Sequence, residues 1–323
     1  MKSSFAELSL QIQTACVLEA SARKLGNVHP LASFPDLCYA DFVVAAEAVA
    51  PVLARSREIG VGRAVLDAVE ATRVLTGKNV NLGIILLLAP LAAVPPDVPL
   101  WEGIREVLAR LTNNDARLVY QAIRLAQPGG LGRVDREDVS GEPTGTLFDV
   151  MQLAADRDLI AAQYANGFTA VLKDGIESLR MFASEFPQRW EEAIIRLQLE
   201  LMTRNQDSLI ARKCGRDVLD ELLRSIFRVR LASEESFVNE RRLRRASAIA
   251  RQIHGFDYWK VREFREFDTW LRADGHRRNP GTTADLIAAS LFAAYRDGIV
   301  PMPSLADIQN EVRLWGPNDT TSA

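Results

Sequence analysis

The stretch NPGTTADLIAASLFAAY at residues 279–295 decides the fold. Ala284, Ile287, Ala288, Leu291, Phe292 and Tyr295 recur in steps of three and four, the spacing that lines one face of an α-helix. Asn279 stands where such a helix is capped, and Pro280 where its first turn begins, a position at which a missing N–H costs nothing. Asp285 falls inside this run, on a helix apolar on nearly every side, so the pattern predicts a buried carboxylate. A charge buried there requires a cationic partner, a metal ion or a proton.

The same periodicity recurs outward from this helix, over 42–53, 63–75, 104–111, 147–165, 190–202 and 218–227 among others, while alternating strand-like runs are nearly absent. The expectation is an all-α protein, a single multi-helical domain over 1–316 followed by a disordered tail at 317–323. Along 147–165 the stripe Leu147, Val150, Met151, Ala154, Ala161 and Ala165 also includes Asp158, a second acid expected to face the core. The apolar run 82–94 falls short of the roughly 20 residues that cross a bilayer and predicts a buried helix. One segment breaks the pattern: QPGGLGRVDREDVSGEPTG at 127–145 is too rich in glycine, proline and charge for a helix. A long loop of that kind is either functional or disordered.

Composition narrows the function. The chain of 323 residues is 48% hydrophobic and 25% charged, as expected of a soluble protein with a sizeable core. A net charge of −3 gives no global attraction to nucleic acid or an anionic membrane, so any polyanion is met by a local cluster. Cys16, Cys38 and Cys214 are widely spaced and lack a CxxC pattern, which argues against a disulfide framework or structural zinc and for a reducing, cytoplasmic compartment. Lys2, Glu7, Gln11, Gln13 and Glu19 interrupt the apolar residues near the start, so no export signal is expected.

Neither GxxxxGK[ST] nor GxGxxG occurs, nor HExxH or GxSxG, so phosphate binding has to rest on other devices. One candidate is TGKNVN at 76–81, just before the apolar run, where free helix-start amides and Lys78 would attract an anion; a capped turn with a surface lysine is the plainer account. Basic residues cluster as Arg241, Arg242, Arg244 and Arg245, which reads as a solvated face, and as Arg272, Arg277 and Arg278 with His276, which precede a helix start and suit an anion better.

Six segments taken in order, LEASARKLGNVH from Leu18, FPDLCYADF from Phe34, TGKNVNLG from Thr76, PGGLG from Pro128, DSLIARKCG from Asp207 and NPGTTADLIAASLF from Asn279, resemble the triphosphoribosyl-dephospho-CoA synthase family. Lys24, Gly26, Asp36, Asn79, Gly83, Asp207, Gly215, Pro280, Gly281, Ala284, Asp285 and Leu286 match its pattern. Arg23 and Leu25 replace two prolines, Phe34 a histidine, Asn81-Leu82 a His-Lys pair, and Lys213 an arginine, which marks a divergent branch.

The resemblance implies transfer of the 5-triphosphoribosyl group of ATP to the 2′-hydroxyl of 3′-dephospho-CoA, with loss of adenine. It implies small-molecule substrates, ATP with Mg2+, and leaves room for a homodimer. Catalytic roles are expected for Asp36, Asp207 and Asp285, and nucleotide binding for Lys24, Gly26, Lys78, Asn79, Asn81, Arg133, Lys213 and Asn279. The metal is expected on Asp36, Asp207 and Asp285, with Asp158 added from its apolar helix face. Two alternatives stand beside it: a nucleotide-dependent transferase or hydrolase acting on another cofactor precursor, and a non-catalytic helical scaffold.

Overall fold

A computed structural model describes residues 4–128, 136–186, 188–215, 217–246 and 256–315, and within them the regular structure is helical. The first half contains α1 (Phe5–Ser21), α2 (Tyr39–Leu53), the single turn α3 (Ser56–Ile59), α4 (Val61–Thr76), α5 (Leu82–Ala93), α6 (Leu100–Ala109) and α7 (Asn113–Ala126). The second contains α8 (Leu147–Ala154), α9 (Leu159–Asn166), a π-helical turn (Ala170–Gly175) running into α10 (Ile176–Arg180), α11 (Trp190–Arg204) and α12 (Ser208–Cys214). The long α13 (Asp217–Ala246), α14 (Arg262–Arg272), α15 (Gly281–Arg296) and α16 (Leu305–Leu314) complete it. The all-α expectation is met, and among the described residues no helix is long and apolar enough to cross a membrane.

The apolar run behaves as its composition dictates. From Ile84 to Ala93 every residue of α5 is buried, and α5 packs against α15, whose residues from Leu286 to Tyr295 are likewise buried. Helix α1 covers α15 from another side and carries α2, which in turn carries α4, and α4 carries α7. One close approach needs a glycine: a Cβ on Gly175 in the π-turn would lie 2.1 Å from the Ser290 hydroxyl on α15. A smaller apolar cluster, built on Leu25, Leu199, Leu222, Phe264 and Leu271, joins α11 to α13 and α14 beside the main core.

Two local expectations are corrected. The segment 147–165 is not one helix but two, α8 and α9, with Asp158 at the break. Asp156, Arg157 and Asp158 have side chains that favour caps and turns or solvent over a core face, and Asp158 caps the second helix rather than lining a stripe. Helix α15 begins at Gly281, so Asn279 lies two residues before it and does not cap it. In the loop 127–145 the described residues from 136 onward fold back on α7: Tyr120 donates to the Glu137 carbonyl at 2.8 Å and Arg124 to that of Val139 at 2.7 Å.

Candidate active site

Four helix starts meet at one place, those of α5, α9, α12 and α15. Helix α15 has no cap of its own, because the residue before it is Pro280. The cap comes instead from Asp207, whose Oδ2 accepts the Thr283 N–H and the Thr283 hydroxyl, both at 2.8 Å. Its Oδ1 caps α12 in the ordinary way, accepting from Leu209 at 3.0 Å and Ile210 at 3.1 Å. Burial raises the Asp207 carboxyl above its usual range against the pull of these four donors. Next to it the Ser208 hydroxyl accepts the Leu159 N–H at 3.1 Å and lies 3.3 Å from the Thr282 hydroxyl, which ties in α9. Asp158 caps α9 through Ile160 and Ala161 and pairs with Arg212.

Asp285 sits against this knot with much weaker support. Its carboxylate takes the backbone N–H of Ile84 at the start of α5, so the helix start that the sequence offers to an external anion is filled by the chain's own acid. Space for it exists because residue 83 is a glycine: a Cβ there would lie 2.0 Å from Asp285 Oδ2. Asp285 retains some exposed surface, yet burial of its carboxyl, and then the charges of Glu19, Asp207 and Asp158, drive its pKa well above the carboxylate range. Among the described residues no lysine, arginine or histidine pairs with it.

The other predicted residues divide by what already occupies them. Lys24 is fully buried and turned to Glu19, 2.9 Å away and also buried, so its ammonium faces the interior. Gly26 has a left-handed backbone, φ +69°, and donates to Asp268 at 2.8 Å, while a Cβ there would press on Leu271 and Pro280. Lys78 holds Asp41 at 2.8 Å, and Asn81, 5% exposed, accepts the Thr72 hydroxyl at 3.1 Å. Asn279 accepts from Asn27 at 2.7 Å. Asn79 is half-buried. Lys213, also half-buried, ends α12 with its ammonium in no ion pair among the described residues.

Asp36 is exposed and lies within electrostatic reach of Lys78 and His276, a different setting from that of Asp207 and Asp285. Arg133 and the side chains of Arg241 to Arg245 lie outside the described residues. The second arginine cluster is consumed by packing: Arg272 holds Asp268 at 2.7 Å, Arg277 donates to the Lys213 carbonyl, and Arg278 lies 4.4 Å over Trp270.

Among the described residues no three His, Cys, Asp or Glu side chains are grouped closely enough to hold a metal ion. Asp207 and Asp158 spend their oxygens on backbone amides, a hydroxyl and a guanidinium. Sequence reasoning missed Glu19, though the rule that found Asp285 applies to it equally: it lies between Leu18 and Ala20 in a buried helix. It also missed Thr283, whose partner is remote in sequence. A cavity of about 440 Å3, bounded by Glu177, Arg196, Glu200, Ser233 and Tyr258, contains none of these residues.

No curated protein matches the chain by sequence. A crystal structure from Archaeoglobus fulgidus, of a protein given the provisional name triphosphoribosyl-dephospho-CoA synthase, superposes with a TM-score of 0.56 at 26% identity, covering 79% of this chain and 98% of that one. The family model described as CitG, ATP:dephospho-CoA triphosphoribosyl transferase, matches residues 5–303, nearly the whole described chain including every element of the helix-start knot. The chain therefore belongs to the ATP:dephospho-CoA triphosphoribosyl transferase family.

Proposed function

We propose that this chain moves the 5-triphosphoribosyl group of ATP to the 2′-hydroxyl of 3′-dephospho-CoA, releasing adenine, and that Asp285 is the group at the reacting centre. The single observation that carries the residue assignment is the state of its carboxylate: crowded by three other acids, propped on one backbone amide, and unmatched by any described cation. Such a group has two uses in this reaction. With its proton affinity raised above the usual carboxylate range it can accept the proton of the attacking hydroxyl as that oxygen bonds to the ribose C1, the bond from C1 to the adenine nitrogen breaks, and the departing adenine takes a proton from water. As a carboxylate it stabilises the oxocarbenium character that develops on the ribose.

The residues also fit a magnesium ion of the kind that accompanies ATP. Mg2+ is commonly held by one or two carboxylates and the substrate phosphates rather than by an all-protein cage, and Asp285 offers an uncompensated charge for that purpose. When bound, the ion would neutralise phosphate charge. Lys213 is the predicted lysine free to meet the triphosphate, whereas Lys24 and Lys78 are engaged with Glu19 and Asp41. Asp207 acts as a positioning residue, fixing the first turn of α15 through Thr283, two residues before Asp285. Asp36 is assigned to the outer, nucleotide-facing side with Lys78.

The test is chromatographic: purified protein with Mg-ATP and dephospho-CoA should release adenine and form the triphosphoribosyl product, and the Asp285→Asn variant should form neither. No adenine from the wild type with dephospho-CoA, but release with a different alcohol, would keep the chemistry and change the acceptor. Asn81 gives that second reading its footing, since it replaces a basic position of the family pattern and its side chain is bound to Thr72.

A further inference from the structure

The loop containing Asp36 and the loop before α15 touch through two rings. Phe34 and His276 stack with centroids 3.8 Å apart and planes 33° from parallel, and each residue is only half-buried. His276 is held in a left-handed conformation, φ 65°, which an ordinary side chain rarely adopts. Its Nδ1 is buried without a hydrogen-bond partner among the described residues, a cost that an internal contact does not repay.

Charge around the pair has a consistent direction. Lys213 and Arg272 lie within electrostatic reach of His276 and, after burial, hold its pKa below the usual value, while Asp36 opposes them; the imidazole is therefore neutral at pH 7. Arg272 is spent on Asp268, but the Lys213 ammonium is in no ion pair among the described residues. Arg277 fastens the Lys213 carbonyl to this same loop, so the end of α12 and the ring pair are one assembly. A flat aromatic surface and a nearby ammonium in no ion pair among the described residues are the parts needed to hold a nucleotide by its base and its phosphates.

Resting on the nucleotide reading given above, we propose that Phe34 and His276 form the platform for the purine base of the nucleotide substrate, with Lys213 meeting the phosphate chain.

The experiment compares two probes, ATP and inorganic tripolyphosphate, each titrated with Mg2+ into wild type, Phe34→Ala, Phe34→Trp and His276→Ala. ATP binding should weaken about ten-fold in the two alanine variants, the range expected for a lost base stack, and be retained in Phe34→Trp. Tripolyphosphate, which has no base, should bind all four proteins alike. Wild-type affinity for ATP in both alanine variants overturns the platform and leaves the nucleotide reading intact. Equal loss of both probes also overturns it, by making the rings structural. A wild type that binds tripolyphosphate but not ATP, or neither probe, removes the nucleotide reading itself.

Discussion

Asp207 and Asp285 are two acids of one family pattern, buried within one knot of helix starts, and they are in opposite conditions. Asp207 has four donors for its two oxygens and no exposed surface. Asp285 has one backbone amide, three acidic neighbours and no described cation. Burial raises the pKa of both, so burial alone does not separate a structural acid from a reactive one. The inventory of hydrogen bonds does. A carboxylate whose lone pairs are spent holds the fold, and one whose lone pairs are idle is held by the fold for a ligand.

The largest effect should fall on Asp285. Replacement by Asn keeps the shape and removes the ionisable group, so adenine release should drop on the order of a thousand-fold in kcat while the unfolding midpoint in urea stays level or rises. A coincident loss of stability would erase the contrast. Asp207→Ala should do the reverse, costing about 3–5 kcal/mol in denaturant unfolding because two caps vanish and buried donors are left unpaired. Activity should then track the folded fraction.

A smaller effect sharpens the contact with α5. Gly83→Ala should destabilise by roughly 1–3 kcal/mol, since the new methyl overlaps Asp285, and in an Asp285→Ala background the same change should become stabilising by about 0.5 kcal/mol. The smallest is a pH effect. The folded pKa of Asp285 lies above its unfolded value, so the folded state binds the extra proton and wild-type stability declines as pH rises from about 4 towards the folded pKa. The advantage of Asp285→Asn over wild type should be near zero at pH 4 and grow by at most about 1.4 kcal/mol per pH unit above it. A gap that is constant across pH would mean that Asp285 titrates normally.

The sequence made the helices legible because burial and periodicity are local. Ala284, Ile287, Leu291 and Tyr295 announce α15 without reference to anything else, and the burial of Asp285 follows from its neighbours on the same helix. What escaped is what depends on remote partners. Nothing near Asn279 says that α15 takes its cap from Asp207, and nothing near Lys24 says that the loop after α1 turns its ammonium back onto Glu19. The split at Asp158 was readable in principle, since Asp156, Arg157 and Asp158 interrupt the apolar stripe, but the flanking alanines suggest continuity. The pairing of Phe34 with His276 joins loops whose conformations carry no periodic signal.

The shared cap has a consequence for motion. Because a single carboxylate bridges the first amides of α12 and α15, the peptide protons of Leu209, Ile210 and Thr283 should lose protection together in hydrogen exchange. Two stretches more than seventy residues apart thus breathe as one unit, and the floor beneath Asp285 opens only when both helices let go.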